Sequence, residues 1–279
     1  MHGAENLSAA KPAHRRVVRL ADGSILNRYW DDRAAPRPES YREDVETAKK
    51  SGRPVEEMYR HLRAGAESGW DFSSRWFADG KTLTSIHTTD IVPVDLNALI
   101  FNLEMTIASI YQNQGNADKA NFYQQQAAKR SAAVNKYCWQ PTAGFFYDYD
   151  FVKGEPTNVP SLAAAYPLYF KMATPNQAQS VAQNLQKNFL RDGGVLSTPN
   201  FTGQQWDAPN GWAPLQWMTI QGLRNYGETA LANDIKKRWM DLNVKVYQNT
   251  GKMVEKYNVQ DVSLEAGGGE YPVQDGFGW

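Results

Sequence analysis

Residues 205–214 read QWDAPNGWAP. The stretch places two tryptophans, a carboxylate and two prolines directly before a helical pattern. A surface turn does not need two indoles, whereas a stiff loop that shapes a sugar-sized pocket does. The stretch therefore indicates a loop that forms part of a binding site.

Around this stretch, helical patterns come in pairs separated by long loops that are rich in aromatic residues and glycine. Antiparallel helix pairs joined by short turns can stack side by side. If the pairs curve into a ring, the long loops emerge at one end. Loops longer than about 12–15 residues are uncommon without a function, so several of them at one end indicate a functional site. We therefore predict an all-α helical toroid with its chemistry at one mouth. The predicted helices cover about residues 41–50, 54–67, 93–115, 117–138, 160–173, 175–190, 212–226 and 229–248.

Local signals set several helix ends. Gly69 predicts the end of the second helix, Pro167 predicts a kink or an early stop, and Thr174 before Pro175 predicts a cap. Residues 20–30 contain Asp22-Gly23 between short apolar runs, which indicates a hairpin or an extended connector. The third helix has a clear apolar stripe. This stripe consists of Leu96, Leu99, Ile100, Leu103, Ile107, Ile110 and Tyr111.

The charge balance and the hydropathy pattern exclude several partners. Lys plus Arg number 30 and Asp plus Glu number 30, so no strong field attracts nucleic acid or an anionic membrane. No stretch approaches the roughly 18 consecutive apolar residues of a membrane helix. The single cysteine, Cys138, cannot form an internal disulfide and is expected to be a buried structural thiol.

Several site types lack their sequence patterns. The four histidines, at positions 2, 14, 61 and 87, do not have metal-ligand spacing. The chain has no Gly-x-Ser-x-Gly motif, no P-loop and no dinucleotide fingerprint. What remains is carboxylates among aromatic residues, which suits sugar rings, although core packing competes for the same aromatic side chains. The histidine spacing therefore does not predict a zinc site.

Asp71 is the first candidate catalytic residue. It lies between Trp70 and Phe72, just past Gly69. An apolar wall raises a carboxyl pKa and allows it to act as a general acid near neutral pH. The alternative is an aspartate that caps a turn or pairs with Arg75.

Three further carboxylates have both a structural and a functional interpretation. Glu255 is either a catalytic group or a strand-edge residue paired with Lys256. Glu270 follows three glycines, which allow a backbone to approach a ligand but also occur in plain flexible loops. Asp207 is expected to be structural, in an Asx-type turn before Pro209.

Four blocks of sequence carry a resemblance to a known family. They are residues 27–40, 68–76, 205–214 and 267–279, and the third is highly specific. In these blocks the chain resembles the C-terminal half of the glycoside hydrolase family 37 trehalases, most closely the bacterial periplasmic enzymes. The resemblance implies an (α/α)6 barrel, here an incomplete one of about eight helices. Residues 1–279 would form part of one catalytic domain, truncated at both ends.

The resemblance also implies roles for individual residues. The family hydrolyses α,α-trehalose to two glucoses with inversion, so Asp71 would be the general acid and Glu255 the general base. Trp206 would help to shape the pocket wall. The positions that would hold glucose hydroxyls are Arg37, Glu39, Gly69 and Glu270. The resemblance implies neither a metal nor an organic cofactor.

One departure concerns length. Family enzymes are about twice as long, and their first sequence motif is missing, so we expect this chain alone to have little or no activity. By resemblance, the full-length form is expected to be monomeric and periplasmic, with the cytoplasm as the alternative. The competing interpretations are a non-catalytic, carbohydrate-binding helical fragment or another glucosidase on the same barrel. A terpenoid cyclase would need an Asp-rich motif, which the chain lacks.

Overall fold

α-Helices form the framework of the protein, in agreement with the predicted fold class. A computed structural model describes residues 3–8, 10–264, 268, 269 and 271–277. Eight α-helices occur in these ranges, one for each predicted helix. They are α1 Tyr41–Ser51, α2 Val55–Glu67, α3 Val94–Asn113, α4 Ala117–Tyr137, α5 Tyr166–Tyr169, α6 Pro175–Asn184, α7 Ala213–Arg224 and α8 Thr229–Thr250.

Short antiparallel strands connect the loops between these helices. The strands are β1 Ala13–His14, β2 Val17–Arg19, β3 Ile25–Asn27, β4 Ile91–Val92, β5 Trp139–Gln140, β6 Phe145–Phe146, β7 Tyr149–Asp150, β8 Glu155–Pro156, β9 Leu190–Arg191, β10 Gly194–Val195, β11 Asn210–Gly211 and β12 Tyr257–Asn258. β1, β2 and β3 form a sheet, and β2 and β3 form a hairpin that turns at Asp22-Gly23. Of the two predictions for this segment, the hairpin is therefore correct. β4 pairs with β7, and β11 pairs with β12, so each of these pairs joins two different long loops.

The helices stack in series as hairpins. α1 packs on α2, α3 on α4 and α7 on α8, while α5 contacts both α3 and α7. α5 therefore lies between α3 and α7, and α4 and α8 pack on α3 and α7 respectively. Over the described ranges this series does not close into a complete barrel, as the prediction of an incomplete barrel requires.

The apolar stripe of α3 lies largely in solvent. Leu99, Leu103 and Ile110 are 43%, 55% and 50% exposed. The opposite face of α3 is buried against α4 through small residues and one ion pair, in which Arg130 donates to Glu104 at 2.8 Å. An apolar stripe on a helix generally faces a core, so this face of the described chain is an unusual surface.

The fifth helix is shorter than the predicted range 160–173. Leu162–Ala165 forms a 3-10 turn, and α5 covers only Tyr166–Tyr169, with Pro167 in its first turn. Proline is tolerated in a first turn, where its missing N–H leaves no intrahelical bond unmade. The early stop that Pro167 predicted is therefore present, but the proline lies near the start of the regular helix.

α6 begins as predicted and ends early. Thr174 and Gln177 form a reciprocal capping box in front of Pro175. The α-helix ends at Asn184, and Leu185–Phe189 continues as a π-turn. The predicted range 175–190 is thus helical throughout most of its length, in two different hydrogen-bonding patterns.

A buried ion cluster joins the loop after α2 to the start of α3. Arg75 is 1% exposed and donates to Asp95 at 2.7 Å and to Asp148 at 2.6 Å. Its guanidinium group also lies 4.7 Å from the ring centre of Trp70. Because two carboxylates face one cation, the pKa of Arg75 lies well above its ordinary value despite burial, which acts in the opposite direction. The cluster holds the Trp70 side chain next to a rigid charge.

Candidate active site

The stretch 205–214 lies where two long loops meet. The Trp206 backbone N–H donates to the Phe72 carbonyl at 3.1 Å, and the Gln205 side-chain amide donates to the Asp71 carbonyl. The loop that follows α2 is therefore bound to the loop that precedes α7. Asp71 lies directly beside the stretch.

Asp207 fastens this contact from inside. Its carboxylate accepts hydrogen bonds from the Ser74 N–H at 2.8 Å, the Ser73 hydroxyl at 2.8 Å and the Thr198 hydroxyl at 2.7 Å. Burial raises the pKa of Asp207, and the hydrogen bonds that it accepts oppose this only in part. The expected structural role thus takes another form, because the side chain binds the neighbouring loop and does not merely close its own turn.

Three tryptophans form a continuous stack at the contact. Trp206 lies between Trp70, at a ring-centre distance of 5.3 Å, and Trp212, at 3.8 Å with the planes inclined by only 4°. The Trp212 indole N–H donates to the Gln205 carbonyl at 3.0 Å. All three rings are at most 9% exposed. The three rings belong to the hydrophobic core, and the expected role of Trp206 in a pocket wall stays a prediction.

Asp71 is partly exposed between two buried rings. Trp70 and Phe72 flank it in sequence and are 4% and 3% exposed, whereas Asp71 itself reaches the surface. Gly69 has a φ of +77°, and its N–H donates to the Ala66 carbonyl at 3.1 Å as α2 ends. Gly69 therefore ends the helix as predicted. An added Cβ at Gly69 would meet no atom within 4 Å, so a lack of space does not explain why the residue is glycine. The positive φ explains it, because other residues rarely adopt this conformation.

Arg37 approaches the same place from the chain segment before α1. Its side chain donates to Asp44 at 2.8 Å and lies 4.8 Å from the ring centre of Phe72. Burial lowers the pKa of Arg37, but the hydrogen bonds and charge of Asp44, with smaller effects of Asp71 and Glu39, raise it above the ordinary value. Asp71 is thus close enough to act on Arg37 electrostatically. Glu39 is exposed.

Glu255 lies after α8, in a segment tied to the end of the chain. Its N–H donates to the Gln274 carbonyl at 3.0 Å. Its carboxylate accepts the Tyr271 hydroxyl at 2.9 and 3.0 Å and the Lys256 ammonium at 2.9 Å, and its side chain is 12% exposed. The pairing of Glu255 with Lys256, one of the two sequence interpretations, is therefore present. Two donors from different residues therefore hold the oxygens of Glu255.

Tyr271 connects the two candidate catalytic residues. Burial raises the pKa of its phenol, and so do the hydrogen bond to Glu255 and the negative charges of Glu255 and Asp71. The neighbouring Gln205 side chain lowers this pKa in part. Glu255 therefore contacts this hydroxyl directly, and the charge of Asp71, which is far away in the chain, acts on it as well. At neutral pH this hydroxyl is protonated and donates.

The glycine-rich segment packs against this group. An added Cβ at Gly269 would come within 2.9 Å of Gln205 Cβ and 3.2 Å of Lys256 Cε, so only glycine fits here. The Asn210 amide donates to the Gly268 carbonyl at 2.6 Å. Gly269 thus allows close approach to two protein side chains, whereas an added Cβ at Gly268 would meet no atom within 4 Å. The candidate sugar-binding residue Glu270 lies outside the described residues.

Sequence reasoning missed three residues of this site. Gln205 opens the quoted stretch, but nothing local marks its amide as a contact to Asp71. Lys256 was predicted only as the partner of Glu255 in a structural ion pair, and its own role in the site was not predicted. Tyr271 gave no signal beyond its position in a motif-like block, because its partners are distant in sequence.

Other types of site find little support. In the described ranges, no group of three or more His, Cys, Asp or Glu side chains is placed to hold a metal ion. No helix in this part of the chain has the length and apolar character needed to cross a membrane. Cys138 is buried, and burial raises the pKa of its thiol.

Comparison with known proteins gives a family match over almost the whole chain. A family model described as Trehalase matches residues 4–279. Among solved structures, the chain is similar to neutral trehalase Nth1 from Saccharomyces cerevisiae, with 25% sequence identity and a TM-score of 0.72. That match covers 89% of this chain and 51% of the yeast chain. The chain therefore spans about half the length of that relative.

More distant structures share the fold. A GH63 mannosylglycerate hydrolase from Thermus thermophilus is 22% identical, with a TM-score of 0.52 over 64% of this chain and 42% of that chain. A sialidase is 15% identical, with a TM-score of 0.59 over 73% of this chain and 20% of that chain. At these identities the likeness concerns architecture alone.

Proposed function

Because the chain belongs to the trehalase family, we propose that it carries the general acid and the general base for inverting hydrolysis of α,α-trehalose. One observation carries the assignment. The Tyr271 hydroxyl donates to Glu255 and lies within the electrostatic reach of Asp71, beside a wall of tryptophans.

The proposed reaction uses the two carboxyl groups on opposite faces of the glycosidic bond. Asp71 donates its proton to the glycosidic oxygen as the bond to the anomeric carbon breaks. Glu255 takes a proton from a water molecule whose oxygen attacks that carbon from the opposite side. Water is consumed, and one glucose leaves as the β-anomer while the other keeps the α-configuration. Inversion of this kind needs a separation of roughly 6.5–9.5 Å between the carboxyl groups, to leave room for the water.

The surroundings of each carboxyl suit its role. Asp71 is partly exposed between the buried residues Trp70 and Phe72, so a glycosidic oxygen can reach it. Glu255 accepts hydrogen bonds from a cation and a phenol, which fix the direction of its oxygens, and a general base needs such a fixed geometry.

Sugar hydroxyls would be held around this pair. Arg37 uses part of its guanidinium fork on Asp44, and a guanidinium has five donors in all. Its position beside Phe72 and Asp71 leaves it suited to a hydroxyl of the same glucose. We propose the same binding role for Glu39, the Gly69 backbone and Glu270. Since the chain spans 51% of the yeast trehalase, we further propose that turnover by this chain alone is slow.

The test compares two substrates in two variants. Trehalose needs protonation of its leaving group, whereas α-glucosyl fluoride releases fluoride without a general acid. Asp71→Asn should therefore abolish glucose release from trehalose while retaining hydrolysis of the fluoride, and Glu255→Gln should abolish both. Asp118→Asn and Glu155→Gln, which alter exposed carboxylates elsewhere, should match the wild type. Rates are measured by coupled glucose detection at high protein concentration.

Proton NMR of the first-formed sugars tests the stereochemistry. Equal amounts of α- and β-glucose at early times support inversion, and α-glucose alone indicates retention. Glucose release that persists in both Asp71→Asn and Glu255→Gln would refute the assignment. Calorimetric binding of trehalose without any turnover would favour a carbohydrate-binding role instead.

A further inference from the structure

Lys256 is a fully buried cation next to the proposed general base. Its side chain is 0% exposed, and its ammonium lies 2.9 Å from a Glu255 oxygen. The same ammonium lies 4.0 Å from the ring centre of Tyr271 and 5.6 Å from that of Trp212. Burying an ammonium group costs free energy unless it is paired, and here the carboxylate of Glu255 provides the pairing. Cation–π contacts with the two aromatic rings hold the same ammonium group in place.

Tyr271 provides the second fixed contact. Its hydroxyl donates to both carboxylate oxygens of Glu255, and its ring packs over the Lys256 ammonium. Two donors from different directions leave the Glu255 carboxylate little freedom to rotate. The carboxylate is therefore already oriented before any sugar binds.

Gln205 extends this arrangement to the other carboxyl. Its amide donates to the Asp71 backbone carbonyl. Its side chain also lies near the Tyr271 phenol, and Gly269 packs between Gln205 and Lys256. Gln205 is itself held in place, because its backbone carbonyl accepts hydrogen bonds from the Asn210 side-chain amide and the Trp212 indole N–H, both at 3.0 Å. With 3% exposure it has no room to move away.

We propose that Gln205, Tyr271 and Lys256 are positioning residues that set the separation between Asp71 and Glu255. The inference rests on the proposed function, since that separation matters only if the two carboxyls act as acid and base. None of the three acts on the reacting atoms. They hold the two carboxyl-bearing segments in place relative to each other, and inverting hydrolysis requires a fixed gap that admits one water molecule.

The kinetic test removes one contact at a time. Tyr271→Phe, Lys256→Met and Gln205→Ala should each lower kcat for trehalose by about 10- to 100-fold, because a displaced carboxyl loses its alignment. KM should stay within about threefold, since these residues do not hold the sugar. Lys256→Arg, which keeps a cation, should recover part of the loss. Gln204→Ala removes the neighbouring amide and should leave both constants unchanged.

A stability cycle tests the pairing without any need for turnover. Glu255→Gln leaves Lys256 buried without its carboxylate, so its urea midpoint should fall, and adding Lys256→Met should raise it again. Additive midpoint shifts in the double variant would overturn the inference.

The outcomes also separate the inference from its premise. If Glu255→Gln abolishes turnover while Tyr271→Phe, Lys256→Met and Gln205→Ala match the wild type, the proposed function stands and the positioning role is overturned. If Glu255→Gln retains wild-type turnover, the proposed function fails, and coupled midpoints would still support the pairing. When turnover is too slow to measure, the midpoint cycle alone decides: coupling supports the inference and additivity overturns it.

Discussion

Asp207 shows how one buried side chain can join distant segments. It accepts a hydrogen bond from Ser73, which is 134 residues away in the sequence, and another from the Ser74 backbone. Without the carboxylate, several buried donors would lose their acceptor, and each orphaned donor costs about 1–3 kcal/mol.

We expect Asp207→Ala to lower the free energy of unfolding by about 3 kcal/mol or more, as the sum of these orphaned donors. Urea denaturation followed by tryptophan fluorescence measures the change. Asp192→Asn, at a largely exposed position, serves as the control and should shift the midpoint very little. Equal midpoints for Asp207→Ala and wild type would show that the loop contact does not depend on this carboxylate.

His61 is a buried histidine that resists protonation. Burial lowers its pKa from 6.5 to about 3, with a smaller effect of the Arg53 charge. Its Nδ1 accepts the Thr89 N–H at 3.2 Å, which requires a neutral ring. Glu57 lies 3.7 Å from Nε2, but this carboxylate is 48% exposed and its attraction for a proton is screened by water.

The pKa of His61 predicts a loss of stability in acid. Between the unfolded pKa of 6.5 and the folded pKa of about 3, the unfolded chain binds the extra proton, so stability falls as the pH falls. This one group should remove about 2 kcal/mol between pH 7.5 and pH 5. Urea midpoints of wild type and His61→Gln across that range measure the effect. The variant should show a flatter pH dependence, and parallel curves would exclude His61 as the cause.

The α3–α4 pair is held by a buried polar contact at its centre. Arg130 is 1% exposed and donates to both oxygens of Glu104, at 2.8 and 3.0 Å. It also donates to the Asn97 side chain at 2.9 Å. Removing one partner of such a pair leaves an unpaired buried charge, which costs more than replacing both partners together.

Arg130→Met should therefore lower the free energy of unfolding by about 3–5 kcal/mol, and adding Glu104→Leu should recover much of the loss. Chemical denaturation of both variants gives the comparison. The control is Lys136→Met on the same helix, because its pair with Asp22 is exposed and should contribute at most about 1 kcal/mol. If Arg130→Met costs no more than Lys136→Met, the buried pair does not hold the helices together.

The molecule as a whole presents an apolar face along α3, α5 and α7. Leu103 is 55% exposed and Trp217 is 56% exposed. Between the three helices runs a groove of about 880 Å³, lined in part by Leu99, Tyr166 and Trp217. Exposed apolar surface shared by neighbouring elements is typical of a contact surface, whereas single exposed apolar residues are ordinary.

This face should bind an apolar fluorescent dye and promote self-association. We expect the double variant Leu103→Glu/Trp217→Glu to lower dye fluorescence at least about twofold and to reduce self-association, since charges on the face oppose both. Dye titration and light scattering after size-exclusion chromatography measure the two effects. Phe201→Glu, at a 63% exposed aromatic on a loop, is the control. An equal response in the control would mean that the face has no special role.

Local chemistry was enough to predict most of the helices and their ends. Periodicity gave the eight helical segments, Thr174 predicted the start of α6, and Gly69 predicted the end of α2. These features depend on residues within one or two turns of each other. The sequence therefore determines these helices and their ends independently of how the helices pack in the fold. Carboxylates among aromatic residues were also recognisable, because Asp71 stands directly between Trp70 and Phe72.

The contacts across the chain could not be obtained in this way. A period of 3.6 residues marks the apolar stripe of α3 but does not say which neighbour covers it, and the structure leaves Leu103 in solvent. Tyr271 hydrogen-bonds Glu255, and Gln205 hydrogen-bonds Asp71, only because folding brings distant segments together. No local sequence pattern in either segment predicts its partner. Helices follow from short-range hydrogen bonding, whereas a site with two carboxyls depends on long-range packing, which fixes distances that no local pattern encodes.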